Sequence, residues 1–288
     1  MVDAVLQRRH HILCILPTGS GKSLASFLPA VLEEKGITVH VVPSIDLFEA
    51  VTTSASQFQN LRFGVYPACT KGDLISTRLV FLQTELLDLE DAVEWMAGIA
   101  KDGLLNRVVV DEAQLLVSCP NFRTHIRELC ILSGLQVPLV MLTSSFSPDS
   151  QGALVDALGI SHRTVRVVRA MCTSPPNVSF DIRPTKKRDL MDSVMHYVEG
   201  EGALKLNEKG VVWFSDHKLG TDFSQRTGIP FAFEESTFRC HELLASWGDG
   251  EWIATTYDLA HAISHKNIRV SVVYGAPYSL SQAKRQSR

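Results

Sequence analysis

Ile15-Leu16-Pro17-Thr18-Gly19-Ser20-Gly21-Lys22-Ser23 is the stretch on which the reading of this chain turns. An apolar run, Ile12–Leu16, precedes it and reads as a buried strand. The residues after it predict a helix over Ser23–Glu34. A glycine-rich turn between strand and helix aims several backbone N–H groups at one point, and such a point holds phosphate. Gly19 and Gly21 allow the tight turn and the close approach of ligand to backbone. Lys22 can reach the β- and γ-phosphates of a nucleoside triphosphate, and the Ser23 hydroxyl can ligate Mg²⁺. The strict pattern asks for glycine at position 16, where this chain has Leu16. The bland alternative is a plain strand–turn–helix with a chance Gly-Lys-Ser, and the flanking elements argue against it.

A second segment, Arg107-Val108-Val109-Val110-Asp111-Glu112-Ala113-Gln114, places two carboxylates directly after three valines. A strand ending in Asp is the Walker B arrangement. Asp111 would hold Mg²⁺, and Glu112 would orient and deprotonate an attacking water. Alone, the segment could be a strand running into a polar turn. Paired with an upstream phosphate loop, it points to a P-loop ATPase.

At these segments the chain resembles the superfamily 2 helicases, and within them the RecQ-type DNA helicases. Motif I, running through Leu24 to Leu28-Pro29-Ala30, resembles the family's extended form. Asp111-Glu112-Ala113-Gln114 stands where the family usually has Asp-Glu-Ala-His, and Phe122-Arg123 is similar to a Phe-Arg in its aromatic-rich loop. Leu142-Thr143-Ser144-Ser145-Phe146 looks like motif III, Val41-Val42-Pro43 like motif Ia, and Phe81-Leu82-Gln83-Thr84-Glu85 like motif Ib. In the second half, Gly210–Ser215 resembles motif IV and Trp252–Thr256 the start of motif V. The resemblance implies an ATP-dependent DNA helicase with 3′-to-5′ polarity, roles in DNA recombination and repair, and nucleic-acid-stimulated ATP hydrolysis with ATP and Mg²⁺. By residue it implies Lys22, Asp111, Glu112 and Gln114 in catalysis. Pro17, Thr18, Gly19, Ser20, Gly21, Lys22 and Ser23 would bind nucleotide, with Ser23 and Asp111 on the metal. Thr143, Ser144 and Ser145 would couple the sites, and Pro43, Glu85, Phe122, Arg123, Ser215 and Thr255 would face nucleic acid, DNA in preference to RNA.

The chain has 288 residues and a formal net charge of −3, enough for two modest α/β domains and without a global basic signature. Its six cysteines, Cys14, Cys69, Cys119, Cys130, Cys172 and Cys240, show no Cys-x-x-Cys spacing, so no zinc site is expected. Cys14 and Cys130 lie among apolar residues and read as buried thiols. An intracellular setting fits free thiols, nuclear in a eukaryote if the family resemblance holds. No signal peptide and no membrane span are expected. His10, His11, His261 and His265 lack the spacing of a metal site and read as solvated or core histidines. The four tryptophans read as core.

Short apolar runs alternate with amphipathic segments. Strands are expected at Ile12–Leu16, Thr38–Val42, Leu79–Leu82, Val108–Val110, Leu139–Leu142 and Val165–Val168. Further helices are expected at Leu47–Gln59, Glu90–Ala100, Phe122–Ser133 and Ser150–Leu158. This alternation implies a parallel sheet with helices on both faces and ligands at the carboxyl ends of strands. The resemblance makes the fold class two RecA-like P-loop NTPase domains, the second incomplete. Residues 1–170 would form the ATP-binding domain, 171–177 a linker with two prolines, and 178–288 a partial C-terminal domain. Within the last, strands are expected at Val178–Ile182, Val211–Phe214, Phe231–Phe233, Trp252–Thr255 and Val270–Val273, with a helix at Asp189–Val198.

Two departures bear on activity. Asp258–Ser264 fills the place of motif V with alanines near glycine positions. The family's motif VI, which supplies an arginine finger contributing a ~10³–10⁵ factor in kcat elsewhere, is not met before Arg288; Arg285 and Arg288 lack its glycine frame. Two readings follow: an ATP-dependent helicase, or a remnant that binds ATP and nucleic acid without unwinding.

Overall fold

A strand covered on both faces needs apolar residues at successive positions, and that is how the interior strands of the first half are built. The computed structural model describes residues 1–17, 19–43, 45–69, 73–88, 90–118, 134, 137–144, 146–171, 177–233, 242–243, 245–257, 263 and 267–275. Cα packing divides the chain into two units, Met1–Pro175 and Pro176–Arg288. Both are α/β with parallel sheets.

In the first unit the described elements run α1 (Val2–Leu6), β1 (His11–Ile15), α2 (Leu24–Leu32), β2 (Ile37–Val42), α3 (Ile45–Ser56), β3 (Phe63–Val65), β4 (Leu79–Gln83), α4 (Glu90–Lys101), β5 (Leu105–Val110), α5 (Leu115–Ser118), β6 (Leu139–Thr143), α6 (Pro148–Ala157) and β7 (Val165–Arg169). The seven strands pair in the order β3-β4-β2-β5-β6-β1-β7. Each strand of the centre serves two cores. From β1, Leu13 and Ile15 join Val39, Val41, Val108, Val110 and Met141 on one face. Ile12 and Cys14 join Ala25, Val109, Val140 and Leu142 on the other. The strand β5 starts at Leu105, earlier than the valine run alone indicates, because Asn106 and Arg107 are drawn into it by polar partners. Asn106 Nδ2 donates to Glu33 Oε2 at 2.9 Å, and Arg107 Nη1 donates to Glu33 Oε2 at 2.9 Å and to Thr38 Oγ1 at 3.0 Å.

The second unit contains α7 (Leu190–His196), β8 (Lys209–Phe214), α8 (His217–Thr227), β9 (Phe231–Ala232), β10 (Trp252–Thr256) and β11 (Ile268–Val273). Its strands pair in the order β11-β8-β10-β9. Asp216 caps α8 by accepting from the Lys218 N–H at 2.7 Å, and Gly228, at φ 76°, closes it. Val178–Ile182, expected as a strand, forms none. Phe180 and Ile182 are 58% and 87% exposed there, and an apolar pattern without a neighbouring strand has nowhere to place its backbone hydrogen bonds.

Thr18, Ser145, Phe122, Arg123, Cys119, Cys130, Cys172, Cys240, His261, His265, Arg285, Arg288 and the expected helix Phe122–Ser133 lie outside the described residues, as does most of 171–177 and of Asp258–Ser264. Cys14 and Cys69 are buried free thiols, and burial pushes Cys14 up to about 11. Among the described residues no helix is long and apolar enough to cross a membrane.

Candidate functional site

The polar motifs of the first unit meet because β5, β6 and β1 are adjacent and in register. Ile15 lies beside Thr143, and Val110 beside Met141. Three backbone hydrogen bonds extend the ladders past the strand ends: Leu16 N–H to the Thr143 carbonyl at 3.0 Å, Asp111 N–H to Val41 at 3.0 Å, and Ala113 N–H to Leu142 at 2.9 Å. The loop after β1, the acidic segment after β5 and the hydroxyls after β6 are thereby held at one edge of the sheet, the carboxyl edge, where α/β proteins place ligands.

The loop Pro17–Ser23 leaves β1 and turns directly into α2. Gly19 and Gly21 have φ of 76° and 80°, in the left-handed region that a side chain disfavours. The turn is closed by Ser20 N–H to the Pro17 carbonyl at 3.2 Å, and Leu24 N–H bonds the Gly21 carbonyl at 3.0 Å. Ser23 is the residue at the N-terminal end of α2. Lys22 Nζ lies 3.5 Å from both the Leu16 and the Pro17 carbonyl oxygens, so its ammonium is folded back over the loop. The arrangement is an amide-lined cradle with a lysine and a serine at its rim, fit for phosphate.

Across from it, Asp111 is 16% exposed at its side chain. Burial raises its pKa, but the combined pull of His40, of the Glu112 N–H that donates to Asp111 Oδ1 at 2.9 Å, and of the Lys22 ammonium outweighs that. The carboxyl is held below its ordinary range and is ionised at neutral pH. Glu112 has φ 44°, a strained value for a non-glycine residue, and is nearly buried. Gln114, also buried, donates its side-chain amide to Glu112 Oε2, which fixes the direction of that carboxylate. Thr143 and Ser144 are buried at the end of β6, and their hydroxyls have no hydrogen-bond partner among the described residues. Of the expected nucleic-acid contacts, Pro43 is buried at the end of β2 and Glu85 is exposed in the turn after β4. In the second unit Ser215 follows β8 and Thr255 is fully buried in the neighbouring β10.

The structure adds His40 and Ser26, which the motifs did not reveal. His40 is fully buried in β2, with Nδ1 at 2.9 Å from Ser26 Oγ and Nε2 at 3.9 Å from Asp111 Oδ2. The available signal was a single imidazole inside the run Ile37-Thr38-Val39-His40-Val41-Val42, where a polar side chain needs a partner.

A match to the DEAD/DEAH box helicase family covers residues 1–151, the segment carrying every one of these groups in the first unit. The chain belongs to the DEAD/DEAH box helicases. Its relatives include RecQ-type members. It is 31% identical to the ATP-dependent DNA helicase RecQ of Synechocystis sp. over 56% of this chain and 36% of that protein. With the ATP-dependent DNA helicase hus2/rqh1 of Schizosaccharomyces pombe it shares 22% identity over 93% of this chain and 22% of the relative. The chain thus spans little more than a third of the first relative and less than a quarter of the second. Two solved structures share the fold across 98% of the chain. Mss116p bound to ssRNA and AMP-PNP matches at 16% identity over 66% of its own chain, with TM-score 0.62. Dbp5 of S. cerevisiae bound to RNA and ADP BeF3 matches at 12% identity over 78% of its chain, with TM-score 0.61. The two units are RecA-like, as the helicase resemblance implied.

Proposed function

We propose that this DEAD/DEAH box protein binds Mg²⁺-ATP at the Pro17–Ser23 loop, hydrolyses it, and uses it as the motor core of a RecQ-type DNA helicase. The observation that supports the reading is the convergence of an open phosphate cradle with an ionised Asp111 and a Glu112 aimed by Gln114.

The donors at the site are hard oxygens, which suit Mg²⁺. Among the described residues no group of three or more His, Cys, Asp or Glu side chains is placed to hold a metal ion. A cation at Asp111 would therefore complete its shell from the Ser23 hydroxyl, water and nucleotide phosphate, as Mg²⁺ commonly does. When bound, that ion neutralises phosphate charge and orients the terminal phosphoryl group. The loop N–H groups and Lys22 bind the β- and γ-phosphates and offset charge that moves onto them as the reaction proceeds. Glu112 accepts a proton from the attacking water, whose oxygen bonds to the γ-phosphorus as the bond to the bridging oxygen breaks. Gln114 keeps the Glu112 carboxylate turned toward that water.

Glu112→Gln is expected to retain nucleotide binding and to lower the phosphate-release rate by ~10²-fold or more. A rate within about twofold of wild type would remove Glu112 from the role of base. DNA as the preferred nucleic acid follows from the RecQ-type resemblance. Stimulation of phosphate release by single-stranded DNA over single-stranded RNA tests it. A fluorescent forked duplex with one 3′ or one 5′ tail tests unwinding and the 3′-to-5′ direction. ATP binding without strand separation would assign the chain to the remnant reading.

A further inference from the structure

We propose that His40 is a positioning residue that ties the phosphate-loop helix to the Asp111 carboxylate and so sets the affinity of the site for Mg²⁺. The proposal rests on the reading of Asp111 as a Mg²⁺ ligand given above. The observations are three. His40 is fully buried within the interior strand β2, whose side chains are otherwise apolar apart from the buried Thr38. Its ring is held in place by Phe81, 5.5 Å away between ring centres, and by Ser26 on α2. Its Nε2 has no hydrogen-bond partner among the described residues and faces Asp111 Oδ2 at 3.9 Å.

A lone pair on Nε2 facing an anionic carboxylate would be repelled, so Nε2 carries a hydrogen directed at Asp111. On the other side of the ring, Nδ1 shares a hydrogen bond with the Ser26 hydroxyl, which lies 2.9 Å from it and also 2.9 Å from the Ser23 carbonyl. A chain of contacts thereby runs from Ser23, through Ser26 and His40, to Asp111. It joins the two elements that carry the expected oxygen ligands of one ion. A partner that orients a ligating carboxylate commonly changes metal affinity by ~10–100-fold when removed.

The test is the Mg²⁺ concentration that half-restores affinity for a fluorescent ATP analogue, with affinity in EDTA measured alongside. In His40→Leu the half-point is expected to rise by ~10-fold or more, while affinity in EDTA and the thermal midpoint stay close to wild type. His40→Gln, whose amide nitrogen can stand where Nε2 was, is expected to recover most of the loss. Ser26→Ala, which removes the group that fixes the ring, is expected to shift the half-point in the same direction by less; it decides the matter if His40→Leu does not fold. An unchanged half-point in His40→Leu, or an equal loss with and without Mg²⁺, overturns the proposal while leaving the nucleotide site intact. Wild-type protein that binds no nucleotide, or binds it identically with and without Mg²⁺, overturns the parent reading and this one with it.

Discussion

Lys22→Ala is expected to weaken binding of a fluorescent ATP analogue by about a hundredfold or more while changing the thermal midpoint of the protein little. The two readouts separate because of where the ammonium lies. It caps the loop from outside, 3.5 Å from the Leu16 and Pro17 carbonyls, at weak hydrogen-bond distance. Removing it gives up these weak contacts and a minor part of the pull on the Asp111 carboxyl, a small cost to the fold. Against bound phosphate the same ammonium would form charge-assisted bonds in a partly enclosed site. Loss of one partner of such a pair costs ~2–5 kcal/mol, and each 1.4 kcal/mol is about tenfold in Kd. Equilibrium titration with excess Mg²⁺ gives the first number and thermal denaturation without nucleotide the second. Equal affinity in wild type and variant would move the nucleotide away from this loop.

Glu33→Ala should be the most damaging single change to the stability of the first unit, by ~3–5 kcal/mol, although Glu33 lies at the end of the sheet away from the phosphate loop. The reason is Arg107. Its side chain is fully buried, and both of its terminal nitrogens donate to the two oxygens of Glu33. Asn106 and Arg8 complete the cluster, with Arg8 Nε at 3.1 Å from Glu33 Oε1. Deleting the carboxylate strands a guanidinium in the protein interior. Replacing both partners by apolar residues of similar volume, as in Glu33→Leu with Arg107→Met, removes the charge as well as the pair and is expected to recover most of the loss. Urea denaturation followed through hydrogen exchange of the β2 and β5 amides reads the first unit separately. A loss under about 1 kcal/mol in Glu33→Ala would mean that solvent reaches Arg107 and that the pair behaves as an exposed one.

The loop proposed to bind nucleotide was legible in the sequence as a glycine turn between strand and helix, because its backbone geometry is local. Gly19 and Gly21 adopt the positive φ that their lack of a side chain allows, and the Lys22-Ser23 pair follows at fixed spacing. Val108–Val110 had to be buried, and Asp111 had to emerge at the strand's carboxyl end. The alternation of apolar runs with amphipathic segments was enough to give a parallel α/β architecture. Where pattern alone was followed without a partner, it failed. Val178–Ile182 alternates as a strand does, yet the described sheet of the second unit offers it no neighbour. Polar residues inside strands were illegible for the opposite reason. Asn106, Arg107 and His40 interrupt apolar runs, and nothing in their own sequence neighbourhood shows how their polar groups are satisfied.

Sequence by itself therefore determined the glycine-rich turn, the acidic strand end and the fold class, since each depends on residues close along the chain and on backbone conformations that few residue types permit. Only the tertiary structure decided that Glu33 neutralises Arg107, that Gln114 turns Glu112, and that His40, bonded to Ser26, faces Asp111. The side chains of the first and last of these sets come from different elements, and strand order together with register sets their distances. A buried charge or imidazole is tolerable only where the fold brings a partner to it, and the partner's identity is a property of the packed sheet.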